Sequence, residues 1–410
     1  MKKYYIETFG CKLNQADSER IKIELDKKYK LTSEKEAGLV VLNTCAVVEK
    51  TERKILKKAL LLKKQGKIVI IAGCLPMVSK ECKLIAHGII GPQSIGLINK
   101  AIEGNVCISK QKKKPIIFTS KDKEITSAVV PIAEGCIGEC TYCTARLARK
   151  ELISFEIKDI VKSVKSALNL GFKEIQLTSQ DLSIYGLDKE KLLLPELLKE
   201  LIAIEGDFKI KLGMMNPGTT KKILKPLLKL YESDKLYKFI HIPLQSGSND
   251  VLKKMKRKYI VNDFIEIVKS FRKKFKNGVV STDIIVGHPS ETEKDYLKTL
   301  VVVKKTKPDI IHIFKFSRRK GTPDYELNDL VDRIKKERSR KLTELFIKNN
   351  EIKNKRLINK HFDCLIIKNN LARTDSGRAV VVNKGKIGYY GEVEIIGSKW
   401  NYLIGRVVEK

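Results

Sequence analysis

The sequence predicts an α/β chain in three parts: an N-terminal parallel βα domain, a partial TIM-like (βα)6 barrel, and a small C-terminal antiparallel β-barrel. Three observations carry this. Short β-branched runs alternate with helical stretches from residue 3 to residue 316. A polar, basic stretch with Pro115, residues 109–123, splits that alternation into two blocks and reads as a linker. After the alternation ends, the last sixty residues hold short β-rich runs divided by Gly, Asn and Lys turns. The expected domains are 1–110, 124–350 and 351–410.

Taken in order, residues 3–9 (KYYIETF) read as a strand ending at Gly10-Cys11, with a helix over 14–30 whose start carries Asp17 and Glu19. The unit repeats twice. A strand over 38–43 runs into Thr44-Cys45 and a helix over 49–64; a strand over 67–72 runs into Gly73-Cys74-Leu75-Pro76, with more helix beyond. In a parallel sheet the loops after the strands gather on one edge. Cys11, Cys45 and Cys74, which lie 34 and 29 residues apart, are therefore expected to meet as one three-thiol site. Cys82, Cys107 and Cys364 do not share that placement and read as packing residues.

In the second block, strands are legible at 128–133, 173–178, 208–214, 238–242, 279–286 and 309–316. The clearest helices are 157–169, 192–204, 219–231 and 291–304, and a charged helix over 329–353 closes the domain. Chemistry in such a barrel belongs at the carboxyl ends of the strands. The loop after the first strand carries Cys136, Cys140 and Cys143 in eight residues, as C-x-x-x-C-x-x-C. No fourth cysteine or histidine lies close by, so a tetrahedral zinc site would be incomplete. Three thiolates on one loop suit a [4Fe–4S] cluster with one open iron, which can take an outside ligand such as S-adenosylmethionine. By position at the strand ends, Thr178, Ser179, Gln180 and Asp181, then Gln245 and Ser246, then Asp283 and Gly287, form the expected cofactor rim beside Tyr142.

Bulk composition narrows the partners. The chain is 42% hydrophobic, with no apolar run of membrane-spanning length and no leader-like start, so it reads as soluble and cytoplasmic, with no membrane partner. Nine cysteines in such a chain favour metal or redox chemistry over a disulfide framework. The 82 basic residues outnumber 48 acidic ones for a net charge of +34, which points to a polyanion, and to RNA before membrane. Arg373, Arg378, Lys384, Lys386, Lys399 and Arg406, interleaved with Tyr389, Tyr390 and Trp400, fit a nucleic-acid surface on the last domain.

The cysteine loop, with Tyr142 before its last thiol, resembles the radical S-adenosylmethionine superfamily. TFGCKLNQADSER, NTCAVV, AGCLP, EIQLTSQDLSIYG, LGMMNPG, HIPLQSGSNDVLKKMKRKY, STDIIVGHPSETEKDY and FSRRKGTPDY, in that order, resemble the methylthiotransferase family over almost the whole chain. ECTYC, LTSQD, LGMMNP and IPLQSGS look most like its archaeal and eukaryotic branch, which acts on N6-threonylcarbamoyladenosine next to the anticodon of tRNA. Lys150, His288 and Ser290 depart from the family's usual Gly, Phe and Gly.

The resemblance implies two [4Fe–4S] clusters, a radical S-adenosylmethionine barrel and a C-terminal TRAM domain. The cluster on Cys136, Cys140 and Cys143 would bind S-adenosylmethionine, and the one on Cys11, Cys45 and Cys74 would hold the transferred sulfur. It also implies tRNA, a flavodoxin- or ferredoxin-like electron donor and a sulfur source as partners. A cationic reader for the substrate carboxylate is expected among Arg146, Arg149 and Arg318. The alternatives are an isopentenyl-adenosine or ribosomal-protein aspartate methylthiotransferase, or an RNA-binding protein with structural clusters.

Overall fold

The computed structural model describes residues 2–109, 113–383 and 385–408. β1 (Lys2–Thr8) leads into α1 (Lys12–Leu25), followed by β2 (Tyr29–Leu31), β3 (Leu39–Thr44), α2 (Glu49–Lys64) and β4 (Ile68–Gly73). The short α3 (Cys82–Ile85), β5 (Gly88–Ile90), α4 (Ile98–Ile102) and β6 (Val106–Cys107) complete the unit. The strands pair in parallel in the order β2-β1-β3-β4-β5-β6. Every residue of β3 is buried, as a central parallel strand covered on both faces requires. Against one face, α2 turns Ile55, Leu56, Ala59 and Leu62 inward at helical spacing.

The helix expected over 14–30 stops at Leu25, because Tyr29–Leu31 pairs with β1 instead and covers its free edge. β2, β5 and β6 are two or three residues long, too short to show a period in sequence.

The second unit opens with β7 (Ser127–Pro131) and a hairpin of β8 (Ala133–Glu134) with β9 (Ile153–Ser154), which brackets α5 (Ala145–Ala148) and the cysteine loop. Then come α6 (Ile157–Asn169), β10 (Glu174–Thr178), α7 (Leu194–Ile202), β11 (Lys209–Leu212), α8 (Pro217–Leu230) and β12 (Phe239–His241). The last helices and strands are α9 (Asn249–Lys254), α10 (Val261–Lys274), β13 (Val279–Val286), α11 (Glu293–Thr306) and β14 (Ile310–Lys315). Parallel sheets β7-β10-β11 and β12-β13-β14 meet through bridges at Ile210–Leu236 and Met214–His241, giving the expected partial barrel. Ile175, Leu177, Ile210, Leu212, Val280 and Ile284 pack outward into the main core, so alternate residues of the same strands face the lumen.

The expected linker is not a free tether. Of its described part, Ile116 and Phe118 are buried in the barrel core and Lys113 lies between Asp17 and Glu134, at 3.2 and 2.6 Å.

α12 (Asp332–Lys355) leads to a closed barrel of β15 (His361–Lys368), β16 (Leu371–Thr374), β17 (Ala379–Val382), β18 (Tyr390–Ser398) and β19 (Leu403–Val407). Part of its expected nucleic-acid face is used for docking. Arg373 pairs with Glu174 at 2.9 Å and Arg378 with Asp309 at 3.1 Å, and Trp400 packs edge-on against Phe346. Arg406 pairs with Glu394 within the small barrel. Lys384 lies outside the described residues. No helix among the described residues is long and apolar enough to cross a membrane.

Candidate functional site

The ends of β1, β3 and β4 do bring Cys11, Cys45 and Cys74 together, and Asn14 is the side chain that Cys11 and Cys74 share. Asn14 Nδ2 donates to the carbonyls of Phe9 and Thr44 at 2.9 and 2.8 Å, which pins the first two strand ends to each other. Its Oδ1 lies 3.8 Å from Cys11 Sγ and 3.9 Å from Cys74 Sγ. Gly10, at φ +112°, passes so close to Cys45 that a Cβ there would stand 2.8 Å from the cysteine Cβ. Burial pushes the Cys45 thiol up, and pushes that of Cys74 up to about 11.

Above this trio sits Arg149, fully buried. It donates to Asp17, to Glu134, and at 3.3 Å to Asn14 Oδ1. Burial disfavours its charge, but Asp17, Cys74 and Glu134 outweigh that and keep the guanidinium ionised. One arginine from the cysteine loop of the barrel thus reaches into the thiol site of the other domain. It is not available to an incoming carboxylate, which removes it from the three expected readers.

The second trio needs no long-range assembly. Gly138 N–H donates to Cys136 Sγ at 3.2 Å. A Cβ on Gly138 would lie 3.3 Å from Cys136 Sγ and 3.6 Å from Cys140 Sγ, so the glycine keeps the face between the two sulfurs clear. Arg257, in the segment after α9, donates from Nη1 to Cys140 Sγ at 3.3 Å and from Nε to Tyr259 Oη at 3.2 Å. Its Nη2 is buried without a partner. Burial pushes Cys143 up, and Cys136 up to about 11. Half-buried thiols on one loop, two of them with N–H donors on the sulfur, suit a metal cluster, whose charge would displace the thiol protons.

Residues 130–303 match the Radical SAM superfamily, and residues 3–88 match the uncharacterized protein family UPF0004. A probable threonylcarbamoyladenosine tRNA methylthiotransferase of Archaeoglobus fulgidus is 42% identical, across 98% of both chains. A tRNA-2-methylthio-N(6)-dimethylallyladenosine synthase of Clostridium tetani is 33% identical across 96% of this chain and 93% of its own. The chain belongs to the methylthiotransferase family. It is a radical S-adenosylmethionine enzyme, and S-adenosylmethionine and [4Fe–4S] clusters are the cofactors of such an enzyme. The fold agrees: the radical S-adenosylmethionine methyltransferase TsrM of Kitasatospora setae superposes with a TM-score of 0.59 over 79% of this chain and 75% of its own, at 11% identity.

In this methylthiotransferase the rim residues divide by what already holds them. Asp181 caps the turn behind it, accepting from Ser183 N, Ser183 Oγ and Asn216 N at 3.0, 2.6 and 3.1 Å, and burial pushes its carboxyl up. Ser246 Oγ accepts from Ser248 N, and Asp283 lies 3.0 Å from His241 Nε2. Tyr142 packs behind the loop against Val251, Met255, Ile285 and Phe316. Gly287 donates its N–H to Glu291 and has Lys335 where a side chain would go. Thr178 is buried at the end of β10. Ser179 Oγ and Gln180 Oε1 are buried with no partner, and Gln245 holds a left-handed backbone at φ 62°. Those three are the rim groups left with unused polar or strained features.

Two departures from the family pattern are joined to the cysteine loop. His288 Nδ1 lies 2.8 Å from Ser290 Oγ and its Nε2 lies 2.9 Å from Asp324 Oδ2, which also accepts from Thr141 Oγ1 at 2.8 Å. Lys150 is exposed. Of the other expected readers, Arg318 donates to the Tyr325 carbonyl and stacks on that ring at 4.9 Å, and Arg146 is half-buried.

Sequence reasoning missed Asn14, Arg257 and Asp324. Each acts through a partner more than a hundred residues away, and the only signal for Asn14 was its place inside the GCKLNQ motif.

Proposed function

We propose that this protein converts N6-threonylcarbamoyladenosine beside the anticodon of tRNA into its 2-methylthio derivative. The observation that carries the reading is one chain with two three-thiol sites, joined by a buried arginine that belongs to the loop of one and contacts the scaffold of the other. Cys136, Cys140 and Cys143 would hold one [4Fe–4S] cluster and Cys11, Cys45 and Cys74 a second. When bound, these cofactors supply a carbon radical from S-adenosylmethionine and the sulfur and methyl group to be transferred.

The chain's own part is to hold, orient and exclude water. Gly138 N–H and Arg257 donate to barrel thiols, and Asn14 aligns the strand ends that present the other three. The three parts of the chain would act as domains 1–110, 124–350 and 351–410. A flavodoxin- or ferredoxin-like electron donor and a sulfur source complete the reaction, in the cytoplasm, where tRNA is available.

For tRNA, Lys276, Arg356 and Lys360 line a cleft of about 270 Å³ where the small barrel meets the large one. Such cations bind phosphate with little sequence information, so affinity should fall steeply with salt. The dimethylallyl alternative is less suited to this molecule. Its apolar tail would meet a lumen lined by Gln176, Lys211, His241, Asp283 and His312.

The test is a nucleoside digest of tRNA from cells with and without the gene, read by mass spectrometry. Loss of the methylthio form of the threonylcarbamoyl nucleoside is expected. Its persistence, or loss of a methylthio-dimethylallyl nucleoside instead, would overturn the substrate.

A further inference from the structure

Inside the barrel there is more positive charge than its carboxylates can balance. Gln176 faces Lys211 across one pair of strands and Asp283 faces His312 across another, all turned inward. Glu174, one inward layer lower, is saturated: it accepts from Arg373, Ser127, Tyr237 and Gln176. Asp283 is engaged by His241. Lys211 has no carboxylate partner among the described residues; its ammonium stands 4.3 Å from the centre of the Phe239 ring. Lys12, next to Cys11, donates to Gln15 Oε1 at 3.0 Å and has no carboxylate within ion-pair distance among the described residues.

Buried cations are ordinarily paired, because a desolvated ammonium without an anion is costly. Burial, reinforced by Arg373, accordingly pushes Lys211 down to about 7.

His241, Asp283 and His312 bring one ligand atom each within 4.8 Å of one another, a spacing a divalent cation could accept. The surroundings decide against it. Asp283 favours a charge on His312, while His241 and Lys211 oppose it. At Lys211 the charges of Arg373 and Lys12 stand against Glu174 alone, and Glu174 is already taken up by Arg373, so an anion would relieve this wall where a dication would add to its charge. The open requirement is therefore for a negative group beneath the rim residue Thr178.

We propose that Lys211 binds the carboxylate of the threonylcarbamoyl group on the substrate base, with His312 as a second donor from the facing wall. This rests on the substrate reading given above. In adenine, C2 and C6 flank the same ring nitrogen, so a base whose C2 faces the thiol loops at the rim carries its N6 group toward an adjoining wall. Lys211 lies on that wall, one inward layer beneath Thr178. A dimethylallyl group has nothing to offer this ammonium.

The experiment uses the full-length, reconstituted protein and two anticodon stem-loop RNAs. One carries the natural carboxylate and the other a neutral carboxamide in its place. Binding is measured by fluorescence anisotropy for the parent, Lys211→Met and Lys211→Arg. The parent should prefer the acid about tenfold or more, Lys211→Met should bind both alike, and Lys211→Arg should keep the preference. Equal binding of acid and amide by the parent overturns the proposal, as does an undiminished preference in Lys211→Met. Should Lys211→Met fail to fold, the parent's acid–amide comparison decides alone. If the parent methylthiolates neither RNA, the substrate reading falls and takes this proposal with it. Turnover of the acid without an acid–amide difference in binding sinks only the lysine.

Discussion

Cys136, Cys140 and Cys143 are held by eight residues of one loop, whereas Cys11, Cys45 and Cys74 are held by the ends of three parallel strands. Each trio has an arginine beside it, one buried and one half-buried, and the two differ in kind. Arg149 is saturated by Asp17 and Glu134 and ties two domains together. Arg257 has no carboxylate partner among the described residues; its contacts are a thiol, a phenol and an aromatic face, and one nitrogen is unused. The non-local site thus spends its cation on holding distant pieces in register. The local site, already held by its loop, has a cation left to act on the sulfur. Position is the scarce quantity in one site, and charge is free to be used in the other.

The largest effects should come from the thiols themselves. Cys136→Ala is expected to halve bound iron and abolish cleavage of S-adenosylmethionine to 5′-deoxyadenosine. Cys74→Ala should also halve the iron, yet leave cleavage measurable and stop formation of the methylthio nucleoside. Iron analysis, a reduced-cluster spectrum and product chromatography read all three quantities. If Cys74→Ala still yields methylthiolated tRNA at the parent's rate, the two sites do not divide the labour as proposed.

Next in size is the loss of Arg149. Arg149→Met leaves Asp17 and Glu134 buried with only Lys113 between them, and breaking a buried ion pair on one side costs roughly 3–5 kcal/mol. The retained lysine argues for the lower end. Denaturant unfolding should show it, together with faster hydrogen exchange in α1, and Arg257→Met should show neither.

The same network sets a pH limit. Burial pushes Asp17 up, but Arg149, Lys113 and Arg20 outweigh that and hold its carboxyl below the ordinary carboxylate range. A carboxyl depressed in the folded state contributes stability that is present above its unfolded value of about 4 and is lost as pH falls through the folded value. Protection of α1 from exchange should therefore drop below about pH 4 in the parent. Asp17→Asn should be less protected at neutral pH and lose less on acidification; an equal acid dependence in both would put the acid-labile group elsewhere.

The sequence disclosed most of the architecture because its signals are local and periodic. Strands of four to eight residues and helices such as α2 and α6 fall where the apolar pattern places them. The C-x-x-x-C-x-x-C spacing was legible for the same reason, and the other trio became legible only once topology was used to fold three distant cysteines onto one edge. What stayed hidden was pairing. Nothing in the composition distinguishes Arg149, an interdomain tie, from Arg146 three residues before it. The basic run of the last domain could not reveal that Arg373 and Arg378 point into the body, since Glu174 and Asp309 lie 199 and 69 residues away from them. β2, β5 and β6 were hidden because two or three residues define no period.

The smallest effect is the most discriminating, because it concerns charge without position. A guanidinium N–H on a ligating sulfur draws electron density from it, and hydrogen bonds to sulfur and nearby charge are among the main influences on iron–sulfur potentials. Arg257 makes that contact to Cys140 at 3.3 Å in a half-buried setting, where a unit charge is screened less than in water. Removing it should make the barrel cluster harder to reduce. The measurement is a redox titration followed by electron paramagnetic resonance, in a Cys74→Ala background so that the barrel cluster alone is read. Arg257→Met should shift its midpoint to more negative potential with iron content unchanged, and Arg257→Lys should recover part of the shift by restoring charge without the planar fork. Met at this position also removes the stacking on Tyr259, which a purely structural role would register as lost iron or stability rather than as a potential. A midpoint equal to the parent's in Arg257→Met would mean that the second arginine, like the first, serves position, and the contrast between the two sites would collapse.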